Sequence, residues 1–302
     1  MAIVTDDFAR TMRELNGEAG VAWVRSLPDL LAGCARRWSL TILPPFPNLS
    51  YNYVAPALRA DGTPAVLKVG YPNPELLSEI QSLRVYAGRG IIQLLESDET
   101  EGALLLERLE PGVSLARLDD DREATAIAAG VMRDLRQPAP PDHAFITVAD
   151  WTWGLQNLRP RFDGTTGPLP AYLVEAAETL FAELLPSMAA PVLLHGDLHH
   201  DNILSATRRP WLALDPKGIL GEPAYEVGTL LRNPMPQLLT WPNPQQIMAR
   251  RVDQLADALG FDRRRIIGWG LAQAVLSAWW SIEDHGHSWE SSIWCAEILS
   301  SL

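Results

Sequence analysis

The 302-residue sequence predicts an α+β fold in two lobes: a small sheet-rich lobe over residues 1–109 and a large helical lobe over 110–302. Three observations carry this. Strand-like runs separated by turn signals occupy residues 50–106, with room for one helix between them. Pro111-Gly112 breaks the chain where the composition changes. From Leu115 onward apolar residues recur mainly at helical spacing.

The elements follow in order. Asp6 to Trp38 reads as helical, with breaks expected near Gly17–Gly20 and at Pro28; Leu27, Leu30, Leu31 and Cys34 share one face. Leu43 to Asn48 is proline-rich and is expected to be irregular or extended. Ser50 to Leu58 and Pro64 to Val69 flank the turn signal Asp61-Gly62 and read as a β-hairpin. Asn73-Pro74-Glu75 opens a helix: Asn73 as N-cap, Pro74 at the first position, Glu75 at the positive end of the dipole. Ile91 to Leu95 and Ala103 to Leu106 read as two further strands, and Glu107 to Gly112 as a connector. The second lobe offers helices at Ala124–Leu135, Ala171–Leu185, Val252–Leu259 and Ile266–Trp280. Two short apolar runs, Val192–Leu194 and Trp211–Leu214, lie among them. A ligand is expected in a cleft between the lobes.

Composition bounds the function. With 47% apolar and 21% charged residues the chain can build a sizeable core. A formal net charge of −12 argues against a nucleic-acid partner and is compatible with a cationic ligand. Cys34 and Cys295 are far apart and give neither a disulfide framework nor metal-ligand spacing. The segment Met1–Arg10 carries Asp6 and Asp7 without an apolar run, so no signal peptide is expected. No stretch reaches the roughly 18 uninterrupted apolar residues of a spanning helix, so no membrane partner is expected and the cytoplasm is the expected location.

The segment V-L-L-H-G-D-L-H-H-D-N-I-L at 192–204 sets a dense polar loop between apolar runs, and Asp215 ends the run Trp211-Leu212-Ala213-Leu214. A compact hairpin would present Asp197 and Asn202 from its loop and Asp215 from its exit. Phosphoryl transfer needs this set. Mg²⁺ takes oxygen ligands such as a carboxylate and a carboxamide, besides phosphate oxygens. A further carboxylate must accept the proton of the attacking hydroxyl. Asp197 is then the catalytic base, with Asn202 and Asp215 as metal ligands, in the D-x-x-x-x-N plus strand-end Asp arrangement of protein kinases. A lone loop Asp or Asn is ordinarily a turn residue or a cap; the conjunction is what points to a kinase. The competing chemistry is a metal hydrolase, because His195, Asp197, His199, His200 and Asp201 are dense in potential ligands. His143, His285 and His287, the histidines outside this run, supply no recognisable ligand motif with it.

A kinase makes demands on the first lobe. Lys68 lies in the apolar run Ala65-Val66-Leu67-Lys68-Val69, where a Lys needs a partner unless it reaches water at a strand end; it is the candidate for the α- and β-phosphates. Glu79 on the next helix is the candidate partner, since Glu75 is explained by the helix dipole. The backbone of Glu107 and Leu109 is the candidate for contacts to the nucleotide base.

The octapeptide H-G-D-L-H-H-D-N at 195–202 resembles the motif of aminoglycoside phosphotransferases. W-L-A-L-D-P-K-G-I-L-G-E at 211–222, L-L-E-R-L-E-P-G-V-S-L at 105–115 and Gly88-Arg89-Gly90 resemble the streptomycin 6-phosphotransferase and hydroxyurea phosphotransferase branch. The resemblance spans about residues 60–285. It implies a protein-kinase-like fold, Mg²⁺, and ATP or GTP as co-substrate. It implies the roles already given to Asp197, Asn202, Asp215, Lys68 and Glu79. The sequence departs from protein kinases in three places. No G-x-G-x-x-G precedes Lys68, where Asn48 to Tyr53 stands instead. The strand-end triplet is Asp215-Pro216-Lys217, so a switch through a Phe is not expected. No A-P-E element follows, so a small-molecule hydroxyl acceptor is expected rather than a protein.

An aminoglycoside-type acceptor carries amino or guanidino cations and calls for an acidic pocket. Glu283 and Asp284, after Trp279-Trp280, and Asp150, beside Trp151 and Trp153, are the candidates; Trp279 and Trp280 themselves read as core. The alternatives on the same fold are a kinase for an endogenous alcohol, amino alcohol or sugar, and a nonenzymatic nucleotide-binding relative. The presence of Lys68, Asp197, Asn202 and Asp215 disfavours the last.

Overall fold

The computed structural model describes residues 4–47, 49–141, 143–284 and 286–302. The expectations that involve Met1–Ile3, Asn48 and His285 lie outside the described residues. The chain forms two compact units, Met1–Gly112 and Val113–Leu302.

The first unit opens with a long helix, α1 (Asp6–Arg37), capped by Thr5, whose side chain accepts the Phe8 N–H. The expected break at Gly17 is a kink inside this helix, where Gly17 takes φ 58°. Pro28 does not interrupt it: the ring removes one ladder bond, while Leu27 and Leu31 on either side stay buried. Phe8, Met12, Trp23, Leu27, Leu31 and Cys34 join one apolar core with the sheet residues Tyr53, Ala55, Ala57, Leu67 and Val69. That sheet comprises β1 (Thr41–Ile42), β2 (Asn52–Leu58), β3 (Pro64–Gly70), β4 (Leu94–Asp98) and β5 (Ala103–Glu107), in the antiparallel order β1-β2-β3-β5-β4. The β2–β3 hairpin forms as expected, its turn fixed by Asp61, which accepts the Thr63 N–H at 2.9 Å. Helix α2 (Pro74–Tyr86) is inserted before β4; the Asn73 side chain caps it by accepting the Leu76 N–H at 2.8 Å. The strand expected from Ile91 begins later, at Leu94. Ile91 makes only a single bridge and Ile92 none, and both are buried ahead of β4.

Three-residue alternation then places Lys68. Leu67 and Val69 are fully buried toward the α1 side. Side chains of a strand alternate between faces, so Lys68 points to the opposite face, and it lies in register with Val54 on β2 and Leu104 on β5.

Strand β6 (Pro111–Ser114) runs across the boundary, and within the second unit its Val113 N–H donates to the Ser205 hydroxyl. That unit continues with α3 (Asp121–Leu135), β7 (Gln137–Pro138), α4 (Val148–Thr152), α5 (Leu158–Arg161), α6 (Ala171–Leu184), β8 (Val192–Leu194), β9 (Ile203–Ala206), β10 (Trp211–Ala213), β11 (Ile219–Gly221), α7 (Val227–Leu231), α8 (Pro244–Leu259), α9 (Arg263–Asp284) and α10 (Glu290–Ser300). Helix α9 is the spine. It is buried almost without interruption from Gly268 to Trp279 and packs against α6, α7 and α10. An all-round apolar helix of this kind has to be central.

The single hairpin expected between Val192–Leu194 and Trp211–Leu214 is instead two nested ones. Strand β9 turns tightly into β10, closed by the Ala206 N–H to the Pro210 carbonyl at 3.2 Å. Strand β8 pairs with β11, Leu194 opposite Ile219. The loops 195–202 and 214–218 therefore lie against each other at one end of this nest. Among the described residues no helix is long and apolar enough to cross a membrane.

Candidate active site

In the first unit, the Lys68 ammonium donates to both Glu79 oxygens at 2.7 Å. Lys68 is 6% and Glu79 5% exposed. The strand supplies one partner and the capped helix the other. A buried cation demands such a partner, since an unpaired charge in this setting costs several kcal/mol. Glu107 is engaged with Gln93 in both directions: its N–H donates to the Gln93 carbonyl, and its carboxylate accepts the Gln93 N–H. Leu109 is nearly buried on the way to the boundary.

In the second unit, His195 organises the polar loop. Its ring Nδ1 accepts the Asp197 N–H at 3.2 Å and its Nε2 contacts the Leu214 carbonyl at 2.8 Å. An acceptor at Nδ1 and a carbonyl at Nε2 require the neutral Nε2–H tautomer. Burial agrees, pushing this imidazole down to about 4. The His195 carbonyl accepts from Lys217 N–H at 2.7 Å and Gly218 N–H at 3.2 Å. The loop carrying Asp197 and the loop carrying Asp215 are thus joined through one residue. Asn202 completes the join: its amide nitrogen donates to the Asp197 carbonyl at 2.9 Å, and its own carbonyl accepts the Leu214 N–H at 3.0 Å. Asp215 takes φ 60°, the left-handed region that a non-glycine residue enters at a cost.

The Asp197 carboxyl is pushed up by burial among surrounding atoms and, further, by Asp215; His199, Lys217 and Arg232 pull it back down. Its side chain is nevertheless 35% exposed, so the group sits in a recess that solvent reaches. His199 Nε2 lies 3.8 Å from Asp197 Oδ2. The geometry gives the histidines internal duties. His195 is satisfied on both nitrogens, and His199 Nδ1 accepts the Asp201 N–H at 3.2 Å. Burial keeps His200 neutral, down to about 3. The ligand-dense reading of this run as a hydrolytic metal centre therefore loses two of its ligands to the loop's own scaffold.

Glu226, preceding α7, was not singled out by the sequence. It is buried, and its carboxylate accepts the N–H of His195 at 2.6 Å and of Gly196 at 3.0 Å. Burial pushes it up to about 7, against these hydrogen bonds. The signal that could have found it is a Glu inside an otherwise apolar stretch, Ala224 to Leu231. Arg232, six residues on, is held below its ordinary range by burial and lies within electrostatic reach of Asp197.

The acidic candidates separate. Asp150 forms a capping box with Thr147: its Oδ2 accepts the Thr147 N–H at 2.7 Å and the Thr147 hydroxyl at 2.8 Å, which lowers its pKa. Glu283 and Asp284 are exposed on the last turn of α9. Glu283 is pushed up by partial burial and by Asp284, and Asn157 hydrogen-bonds to it. The tryptophans also separate: Trp279 is core at 2% exposure, while Trp280 is only half-buried.

With this geometry in place, comparison with known proteins is decisive. Residues 39–285 match the family described as aminoglycoside/hydroxyurea antibiotic resistance kinase. The chain belongs to that family. It is 34% identical over 282 residues to a streptomycin 6-kinase of Streptomyces griseus, covering 93% of this chain and 91% of the relative. It is also 34% identical over 280 residues to a hydroxyurea phosphotransferase of Kitasatospora aureofaciens, covering 89% and 77%. Among solved structures, a choline kinase from Streptococcus pneumoniae superposes with a TM-score of 0.65 at 13% identity, over 91% of this chain and 99% of that one. The aminoglycoside phosphotransferase APH(4)-Ia, in a ternary complex with ADP and hygromycin B, gives 0.62 at 15% identity, over 91% and 97%. At these identities the structures establish the protein-kinase-like fold. The kinase is thus an antibiotic-resistance phosphotransferase, in agreement with the kinase expected from the sequence.

Proposed function

We propose that this kinase transfers the γ-phosphoryl group of ATP or GTP to a hydroxyl of a cationic aminoglycoside-type antibiotic such as streptomycin. The observation that carries the reading is the locked arrangement of Asp197, Asn202 and the Asp215 loop around His195. Asp197 accepts the proton of the attacking hydroxyl; its upward-pushed carboxyl remains within reach of solvent and of an acceptor. Asn202 Oδ1 and the Asp215 carboxylate would hold Mg²⁺, and their oxygen chemistry fits that hard cation. When bound, the ion supplies charge neutralisation on the phosphates. Lys68, fixed by Glu79, would hold the α- and β-phosphates, and the backbone at Leu109, with Glu107, would meet the base. Glu283 and Asp284 supply negative charge for the acceptor's cations, whereas Asp150 serves chiefly its helix cap.

The test is a turnover panel: streptomycin, hydroxyurea, and neutral and amino alcohols, each with ATP and GTP, with Asp197→Asn as control. Phosphorylation of streptomycin that falls by about 100-fold or more in Asp197→Asn supports the reading. Turnover confined to hydroxyurea or to an endogenous alcohol would overturn the acceptor assignment.

A further inference from the structure

The surroundings of Gly196, the residue before Asp197, carry an inference about how the acceptor is recognised. It rests on the function just proposed. Gly196 has φ 84°, and a Cβ built on it would lie 3.3 Å from the Trp151 ring tip and 3.2 Å from Lys217 Cβ. The indole of Trp151 therefore touches the backbone of the catalytic loop. Trp151 in turn packs edge-on against Trp280, ring centroids 5.3 Å apart at 82°. Gly154 makes room for this pair: a Cβ there would stand 3.2 Å from the Trp280 indole nitrogen. The pair is half-buried, unlike Trp279 and Trp269 in the core.

Two further observations point outward from it. Among the described residues, Arg251 covers the face of Trp241, and Arg161 that of Phe162, but no cation of the protein covers Trp151 or Trp280. One turn beyond Trp280, α9 ends in Glu283 and Asp284. Carboxylates at a helix C-terminus oppose the macrodipole, and these two also repel each other. Asn157 hydrogen-bonds to Glu283 but brings no charge, and an external cation would relieve both penalties.

We propose that Trp151 and Trp280 form the aromatic wall of the acceptor site, with Glu283 and Asp284 at its rim, and that a guanidinium or ammonium group of the acceptor rests on an indole face. A ring face attracts a cation at close range and does little for a neutral hydroxyl compound of similar size. The wall thus selects cationic acceptors, while the contact of Trp151 with Gly196 sets the distance from the bound cation to Asp197. Trp151 and Trp280 are specificity-determining residues for the transfer.

The experiment measures acceptor affinity by calorimetry and acceptor KM, in the full chain, for wild type, Trp280→Phe, Trp280→Leu and Trp151→Leu. The probes are streptomycin as the cation, hydroxyurea as the uncharged hydroxyl compound, and the nucleotide. Streptomycin affinity is expected to fall about 3- to 30-fold in Trp280→Leu, with Trp280→Phe in between. Nucleotide affinity and hydroxyurea affinity should change less than about 2-fold. Unchanged streptomycin affinity in both Leu variants, or equal losses for nucleotide or hydroxyurea, overturns the wall. Streptomycin that binds to the wall without being phosphorylated supports the wall and overturns the proposed function instead. Trp280 is only half-buried, so its variants keep the proposal testable if Trp151→Leu disturbs folding.

Discussion

Glu226→Gln is the perturbation that separates holding the catalytic loop from performing its chemistry. The carboxylate accepts the loop N–H groups of His195 and Gly196 on different oxygens, and the Leu198 backbone also hydrogen-bonds to it. Gln keeps one acceptor and turns an N–H₂ toward the other donor. A hydrogen bond to a charged group is worth about 1.5–3 kcal/mol, so loss of one should lower kcat about 10- to 150-fold if the loop must hold its shape in the transition state. The pH dependence supplies a second, independent reading. Burial raises Glu226 from 4.5 to about 7, so its neutral form is the one the fold prefers. Its contribution to stability is complete below pH 4.5 and is lost as pH rises through about 7. A shift of this size corresponds to about 3 kcal/mol. Gln does not titrate, so the stability difference between variant and wild type should move in the variant's favour by up to about that amount between pH 4.5 and 8. Urea unfolding at a series of pH values, beside kcat and both KM values, measures all of it. Wild-type kcat in Glu226→Gln, or the same pH dependence of stability in both proteins, would refute the reasoning.

Two other outcomes follow from the same accounting of buried groups. Lys68→Met takes from the buried Glu79 its cation and should destabilise the protein by about 3–5 kcal/mol; adding Glu79→Leu should restore most of the stability but none of the activity, so failure of the double variant to recover in urea titration would show that the pair is not what the site requires. Asp215→Ala should abolish the Mg²⁺ dependence of nucleotide binding measured by calorimetry, and unchanged Mg²⁺-nucleotide affinity would remove Asp215 from the metal site.

Legibility in the sequence followed the range over which each signal acts. The Asn73 cap, the Asp61-Gly62 hairpin and the strand that carries Lys68 are local, and each is present. The ion pair to Glu79 could be anticipated because strand and helix are consecutive. What local pattern misassigned was pairing. Ile91 and Ile92 are buried ahead of β4 rather than within it, and β8 finds β11 rather than the run at Trp211. Pairing depends on which strand the intervening hairpin leaves available, and the four short strands here carry too few residues to advertise it. Glu226 escaped because its partners are backbone N–H groups 30 and 31 residues away, which no residue pattern encodes. Trp280 was assigned to the core with Trp279 because helical neighbours look alike in sequence; the 100° between them on α9 puts one inside and the other at the rim.

The strain at Asp215 follows from the same long-range join. A non-glycine residue at φ 60° costs about 1–3 kcal/mol and persists only where the surroundings determine it. Here they do so on both sides. Leu214 donates its N–H to Asn202 and offers its carbonyl to His195; immediately after Asp215-Pro216, Lys217 and Gly218 donate to the His195 carbonyl. The residue between these anchors has to reverse direction within a few atoms, and Asp tolerates the left-handed region better than a branched residue does. His195 is in turn held by Glu226. The position of Asp215, the proposed metal ligand, is therefore tied through His195 to the buried carboxylate of Glu226. On this argument the Glu226→Gln variant should weaken Mg²⁺-nucleotide binding as well as turnover, whereas Asp197→Asn, whose backbone N–H to His195 is untouched, should weaken turnover alone.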